Sequence, residues 1–232
     1  MKRSQVNEAV TRAMDTLDAS GIRLPAFGYW TMAEWLSRAG STADLRAIGL
    51  GWDVTDFGSG CFDRTGSVLF TLRNGSPSNP AAGTPYAEKL IVQRHETEQE
   101  IPFHFHRAKT EDIINRGGGT LSVQLYNATP EGRLDVDGEI RARFDGVWRT
   151  LPAGSVVDIE RGCSVTMHPG LYHRFWAKRG AGDLVVGEVS SVNDDVADNF
   201  FLDSHRFASI EEDVAPLVPL CNEYARLLGE CC

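Results

Sequence analysis

The sequence predicts an all-β core, a sandwich or barrel of short strands, with helical additions at both ends of the chain. Two observations predict the core. Stretches of roughly four to eight strand-forming residues recur from Leu50 onward, and Gly, Pro, Asn and Asp turn signals separate them. A third predicts the additions: apolar residues fall at helical spacing near the two ends.

Residues 4–19, SQVNEAVTRAMDTLDA, place Val6, Ala9, Val10, Ala13, Met14 and Leu17 on one helical face, with Ser4 as cap and Ser20-Gly21 as stop. After Leu24-Pro25, Thr31 caps a short helix that carries Trp35 and Leu36 inward. From residue 50 the period changes. Strand alternation runs around Val54, Phe57 and Cys61, and SVLFTLRN is a second strand ended by Asn74-Gly75. The proline-rich SPSNPAAGTPY, 76–86, is a loop, exposed or folded over a cavity mouth. Further strands follow in AEKLIVQ, FHFH and TLSVQLYNAT. TPEGRLDVDG is a hairpin connection, and turns at Asp145-Gly146 and Pro152-Ala153-Gly154 divide the short strands after it. DLVVGEVSSVNDD is one more strand. Its Glu188 stands in an apolar run, where a buried carboxylate must be paired or face a polar cavity. The chain ends in a helix with Leu217, Leu220, Cys221, Tyr224, Leu227 and Leu228 at spacings of three and four. This divides one structural domain into an N-terminal helical extension (1–49), a β-barrel (50–212) and a C-terminal helix (213–232).

The length suffices for a substantial core. With 23 basic and 32 acidic residues the net charge is −9, which argues against nucleic acid or an anionic membrane as partner and favours a small molecule. The five cysteines, Cys61, Cys163, Cys221, Cys231 and Cys232, form no CxxC pair, and no apolar leader or spanning run is present. The expected location is therefore cytoplasmic, with reduced thiols.

The chemistry concentrates in FHFHRAKTEDIINRGGG, Phe103 to Gly119. On a strand, His104 and His106 share a face while Phe105 points the other way, so the two imidazoles can converge with Glu111 on one divalent metal ion. A fourth donor, His173, follows the Pro169-Gly170 turn on a second aromatic-rich strand. His95, His168 and His205 lack this support from spacing and read as surface or core residues.

The spacing of His104, His106, Glu111 and Gly118, followed at a distance by Gly162, Gly170 and His173, resembles the two motifs of the cupin superfamily. The resemblance implies a jelly-roll (double-stranded β-helix) barrel. Glu98 stands where the first motif usually opens with glycine, and His168 and Ala177 replace a usual proline and asparagine in the second. More specifically, YAEKLIV, HFHRAKTEDIINRGGG, VVGEVSSVNDD, the IEED and CNEY stretches and the N-terminal LPAFGYWTMAEW resemble the D-lyxose isomerase family of cupins. That resemblance implies a manganese-dependent aldose-ketose isomerase interconverting D-lyxose and D-xylulose, with D-mannose and D-fructose as a further pair, acting as a homodimer. Its implied metal ligands are His104, His106, Glu111 and His173; Zn²⁺, Co²⁺ and Fe²⁺ are alternatives to Mn²⁺. Arg107-Ala108 and Asp203 depart from the family pattern and bear on sugar preference.

Such a reaction needs a base to move a proton between C1 and C2 and groups to stabilise oxyanions. The candidates are Asp203 and Lys109 for catalysis, with Lys89, Glu188 and Arg206 for substrate binding. Glu188 is a second candidate for the proton transfer, and Arg206 an alternative ion-pair partner of Asp203. Strand parity, with Lys109 two residues before Glu111, would turn both to one face. Two other functions share this ligand set: an iron-dependent cupin dioxygenase and a non-catalytic sugar-binding cupin.

Overall fold

The structure is a computed structural model that describes residues 1–192, 198–203 and 209–229. Two helical pieces open the chain, α1 (Arg3–Ala19) and α2 (Met32–Ser37), followed by a short α3 (Ala43–Ala47). The strands are β1 (Gly51–Thr55), β2 (Ser67–Gly75), β3 (Gly83–Gln93), β4 (Glu100–His106), β5 (Glu111–Gly118), β6 (Leu121–Ala128) and β7 (Leu134–Asp135). After these come β8 (Ile140–Phe144), β9 (Val147–Leu151), β10 (Val156–Ile159), β11 (Ser164–Met167), β12 (Leu171–Ala177), β13 (Leu184–Ser191) and β14 (Asn199–Phe201), and α4 (Tyr224–Leu228) is the last element among the described residues.

One sheet runs β1-β2-β3-β13-β5-β11-β8-β9 and the other β10-β6-β12-β4-β14, all neighbours antiparallel. Their inner faces enclose an apolar cluster that includes Ile91, Ile113, Val123, Phe144, Phe175 and Val186. The outer face of the larger sheet is covered too: Leu90, Val92 and Val185 pack against Val6, Val10, Ala13 and Leu17 of α1. That is why β3 and β13 read as nearly continuous apolar runs and not as an alternation.

The helical face of α1 is as expected, with Val6, Ala9, Val10, Ala13 and Leu17 buried. Its cap is different. The helix starts two residues earlier, with Lys2 as N-cap whose N–H donates to Gln5 Oε1, while Ser4 bonds the Asp213 carboxylate. Thr31 does cap α2 by accepting from Glu34 N–H, and Trp35 is buried. Leu36 is 54 % exposed, because a six-residue helix offers the barrel only one narrow face. Phe57 and Cys61 lie in turns after β1 and not in a strand: Phe57 has φ +52°, a left-handed conformation that ends extended pairing. At the other end, helix forms only from Tyr224, after a 3-10 turn at Cys221–Glu223, and Leu217 stays exposed. Pro216 and Pro219 explain the loss: neither offers an N–H, and each disfavours helix in the residue before it. The expected turns at Asp145-Gly146 and Pro152-Gly154 separate β8 from β9 and β9 from β10, the first with both residues at positive φ. Residues 76–82 form the expected loop, most of it exposed, although β3 begins earlier than expected, at Gly83.

Three glycines of the motifs are conformational necessities. Gly118, Gly162 and Gly170 have φ of +77°, +88° and +79°, and a Cβ at Gly118 would lie 1.9 Å from the Asp183 carbonyl oxygen. Glu98, which replaces the usual opening glycine, keeps the same left-handed conformation at φ +52°. His168, in place of the usual proline, stacks on Trp148.

Candidate metal centre and active site

Along each of four strands, a site residue lies two positions from a residue of the inner apolar cluster. Lys89 follows the parity of Ile91, Glu111 that of Ile113, His173 that of Phe175, and Glu188 that of Val186. Period-two alternation therefore aims all four into the barrel, at the end beyond the apolar cluster. On β4 simple parity fails, because Ile101 and His104 are three apart yet both face inward. A register shift explains it: Ile101 pairs Phe175 and His104 pairs His173, so β4 spends one extra residue around Pro102-Phe103. The bulge re-aims His104, and Pro102 tolerates it because it has no ladder N–H to lose.

His104 then has His173 directly across the ladder on one side and Phe201 of β14 on the other, with ring centroids 4.1 and 5.1 Å away. His106 shares its face, while Phe105 points outward onto Tyr172 and Phe200. Ligand atoms of His104, His106, Glu111 and His173 all lie within 4.8 Å of one another, and all four residues are buried.

The tautomers can be read from the backbone. His104 Nδ1 is 2.9 Å from the Pro102 carbonyl oxygen and His173 Nδ1 is 3.0 Å from that of Leu171. A carbonyl only accepts, so each Nδ1 carries the proton and each Nε2 a lone pair. Glu111 Oε1 stands 3.0 Å from His173 Nε2 and 3.2 Å from His106 Nε2. Neither contact has hydrogen-bond geometry: both nitrogens, and His106 Nδ1, are buried without a hydrogen-bond partner. The His173 lone pair, turned towards an anionic oxygen, repels it unless a cation sits between them. The donor set of three imidazoles and one carboxylate therefore fits a divalent metal ion.

The protonation states agree. Burial, reinforced by the neighbouring His173 and His106, holds His104 well below the ordinary imidazole range, so it is neutral and able to ligate. Burial opposes ionisation of Glu111, but the Lys109 ammonium and then the two imidazoles overcome it and keep its carboxyl well below the usual range.

Beyond the metal group runs a chain of buried charges. Lys109 Nζ is 2.8 Å from Glu111 Oε2 and 3.3 Å from Glu188 Oε1, and Glu188 Oε1 is 3.3 Å from Lys89 Nζ. Lys89 and Glu188 are paired residues of neighbouring strands, which fixes their contact. Lys109 arrives by a different route from the expected one. Residues 107–110 form a turn between β4 and β5, so strand parity does not apply to it. The turn is held by Asp198, which sequence reasoning missed: Oδ1 accepts from the N–H groups of Arg107 and Ala108, and Oδ2 from that of Lys109. Phe201, packed on His104 and Phe57, was also missed. Asp203 lies two residues past β14 and is exposed, whereas Arg206 and His205 fall outside the described residues.

The fold is shared with solved L-ribose isomerases. That of Cellulomonas parahominis matches with a TM-score of 0.57 at 20 % identity, and that of Acinetobacter sp. DL28, in complex with L-ribose, with 0.60 at 17 %; each match covers 91 % of this chain and 98 % of the other. Fold and site thus define the class, a cupin-fold protein whose barrel holds a buried histidine-glutamate group able to take a metal ion. The profile of the family described as D-lyxose isomerase matches residues 1–224. Two relatives are each named D-lyxose/D-mannose isomerase. That of Serratia proteamaculans is 43 % identical over 99 % of this chain and 100 % of its own, and that of Escherichia coli O157:H7 is 42 % identical over 97 % and 98 %. The chain belongs to the D-lyxose isomerase family.

Proposed function

We propose that the protein is a metal-dependent aldose-ketose isomerase that interconverts D-lyxose and D-xylulose, and D-mannose and D-fructose. Family membership supports the reaction class and the names of the relatives support the sugars. The observation that carries the reading is the unbroken buried series from the ligand group through Lys109 and Glu188 to Lys89. What sets it apart from a purely structural ion-pair network is that it adjoins buried imidazole nitrogens of His106 and His173 that have no hydrogen-bond partner. His104, His106, Glu111 and His173 would hold the ion, for which we take manganese. When bound, it supplies Lewis-acid polarisation of the sugar carbonyl and the neighbouring hydroxyl.

The remaining steps belong to side chains. A carboxylate removes the proton from C2 of the aldose, exchanges it with solvent and delivers a proton to C1, while a second proton passes from the C2 oxygen to the C1 oxygen. Glu188 and Asp203 are the two candidates for the carbon-bound proton. Glu188 is favoured by its burial between two ammonium groups, and Asp203 would act only from the rim. Lys109 relays the oxygen-bound proton and, with Lys89, donates to the developing oxyanions. Arg206, on the same tail, is assigned to sugar hydroxyls. The working assembly is a homodimer and the compartment the cytoplasm.

The test is NMR of D-lyxose in D₂O with protein stripped of metal and reloaded in turn with Mn²⁺, Co²⁺, Zn²⁺ or Fe²⁺, under argon. D-Xylulose carrying deuterium at C1 is the expected product. Absence of ketose with every ion overturns the isomerase, ketose without deuterium overturns the proton-transfer route, and a product formed only with oxygen indicates a dioxygenase.

A further inference from the structure

The connection between β4 and β5 is only residues 107–110, yet it must deliver a lysine ammonium to a place between two buried carboxylates. A four-carbon side chain on a free turn would spread over many rotamers. The turn is instead gripped from both sides. Ser191 N–H donates to the Thr110 carbonyl at 3.2 Å, and the Asp198 carboxylate takes three successive backbone N–H groups at 3.0, 2.9 and 2.9 Å. Three convergent amides around one anion form a nest, and each bond is charge-assisted.

The residues after Asp198 anchor it. Phe200 stacks on Phe105, with the Arg107 guanidinium 4.0 Å over its ring, and Phe201 stacks on His104. The tail strand thus ties the ligand strand, the turn and the lysine into one unit.

We propose that Asp198 is a positioning residue for the isomerisation: it sets the backbone of Lys109, and thereby places the Lys109 ammonium between Glu111 and Glu188. This rests on the isomerase reading above, with Lys109 as the group that meets the sugar. An aspartate is needed because both oxygens accept. An asparagine keeps the shape but turns an NH₂ towards at least one backbone N–H.

The experiment compares wild type with Asp198→Asn and Asp198→Ala, both saturated with manganese. It reads kcat and KM on D-lyxose, metal content, melting temperature and a crystal structure of whichever variant folds. The expected result is a kcat lowered about tenfold or more, as for a reacting group displaced by about 1 Å. KM and bound manganese stay within about twofold, and Lys109 Nζ leaves one or both carboxylates. Asparagine should give little rescue. Wild-type kcat in either variant overturns the proposal, as does a lowered kcat with Lys109 Nζ still in place, or a fall in kcat matched by loss of metal. A wild type that does not isomerise D-lyxose overturns the isomerase reading instead, and the lysine position in the variant structure then decides on Asp198 alone.

Discussion

At the seam between α1 and the tail, Arg3 is wholly buried and donates four hydrogen bonds in two forks, to Glu212 at 2.7 and 2.8 Å and to Glu223 at 2.5 and 2.9 Å. Arg226 closes the same two carboxylates from outside. Inside the barrel, among the described residues, Lys89, Glu188, Lys109 and Glu111 also set two positive against two negative charges, but they adjoin three imidazoles whose inward nitrogens include buried ones with no partner. The seam is electrostatically finished and the barrel cluster is not. Burial of charge is common to both, so it says nothing about function by itself. What marks the barrel cluster as the candidate site is the unspent acceptor capacity beside its ion pairs.

Breaking the open cluster should remove function at little cost to folding, and breaking the closed one should do the reverse. The largest effect belongs to the ligands. His106→Ala with His173→Ala should lower turnover by at least about 10³-fold, the scale of losing the principal electrophile, and should abolish manganese retention in elemental analysis after gel filtration. Stoichiometric metal in that variant would erase the distinction between the clusters. Next comes Lys109→Met, expected to cost about 10²-fold in kcat at full metal content, as for loss of a proton-transfer group. An unchanged kcat would make the barrel lysines structural, like Arg3.

Arg3→Met should leave kcat at 25 °C unchanged and destabilise the fold by about 3 kcal/mol in urea unfolding, the low end for breaking a buried pair, since Glu212 is 38 % exposed. The seam also has a pH signature. Hydrogen bonding to Arg3 holds the Glu212 carboxyl below its ordinary value. Its contribution is therefore complete above the ordinary carboxylate pKa of about 4.3 and is lost as pH falls through the depressed one. The urea midpoints of wild type and Glu212→Gln should differ by a constant amount near neutrality and converge in acid. The smallest effect is expected at Glu98. Its left-handed backbone costs about 1 kcal/mol that glycine does not pay, and its ion pair with Arg179 is exposed, so Glu98→Gly should be stabilising by up to that amount.

The convergence of the histidine-glutamate group was legible because its information is local: His104 and His106 by strand parity, Gly118, Gly162 and Gly170 by turns that only glycine makes without strain. Glu188 was legible as a charge in an apolar strand, although its pairing with Lys89 needed the register of β3 with β13. Asp198 was not. It is one of several acids in the stretch 194–198, and only the three-dimensional return of the tail to the 107–109 turn singles it out. Leu217 was misread because spacing alone ignores the prolines around it, and Ser4 because a tertiary partner, Asp213, outbid the helix end. The bulge at Pro102-Phe103 left the shared face of His104 and His106 intact only because it lies before His104, outside the His-Phe-His alternation.

The arginine at the seam also bears on how the chain is made. Its partners Glu212 and Glu223 lie 209 and 220 residues downstream, so during synthesis the first helix emerges long before anything can neutralise its guanidinium. That helix covers the larger sheet, and while it waits the apolar outer face of β3 and β13 can be exposed. Docking of the tail should therefore be among the last events of folding, and a ribosome-bound chain stopped short of residue 212 should be open to protease at α1.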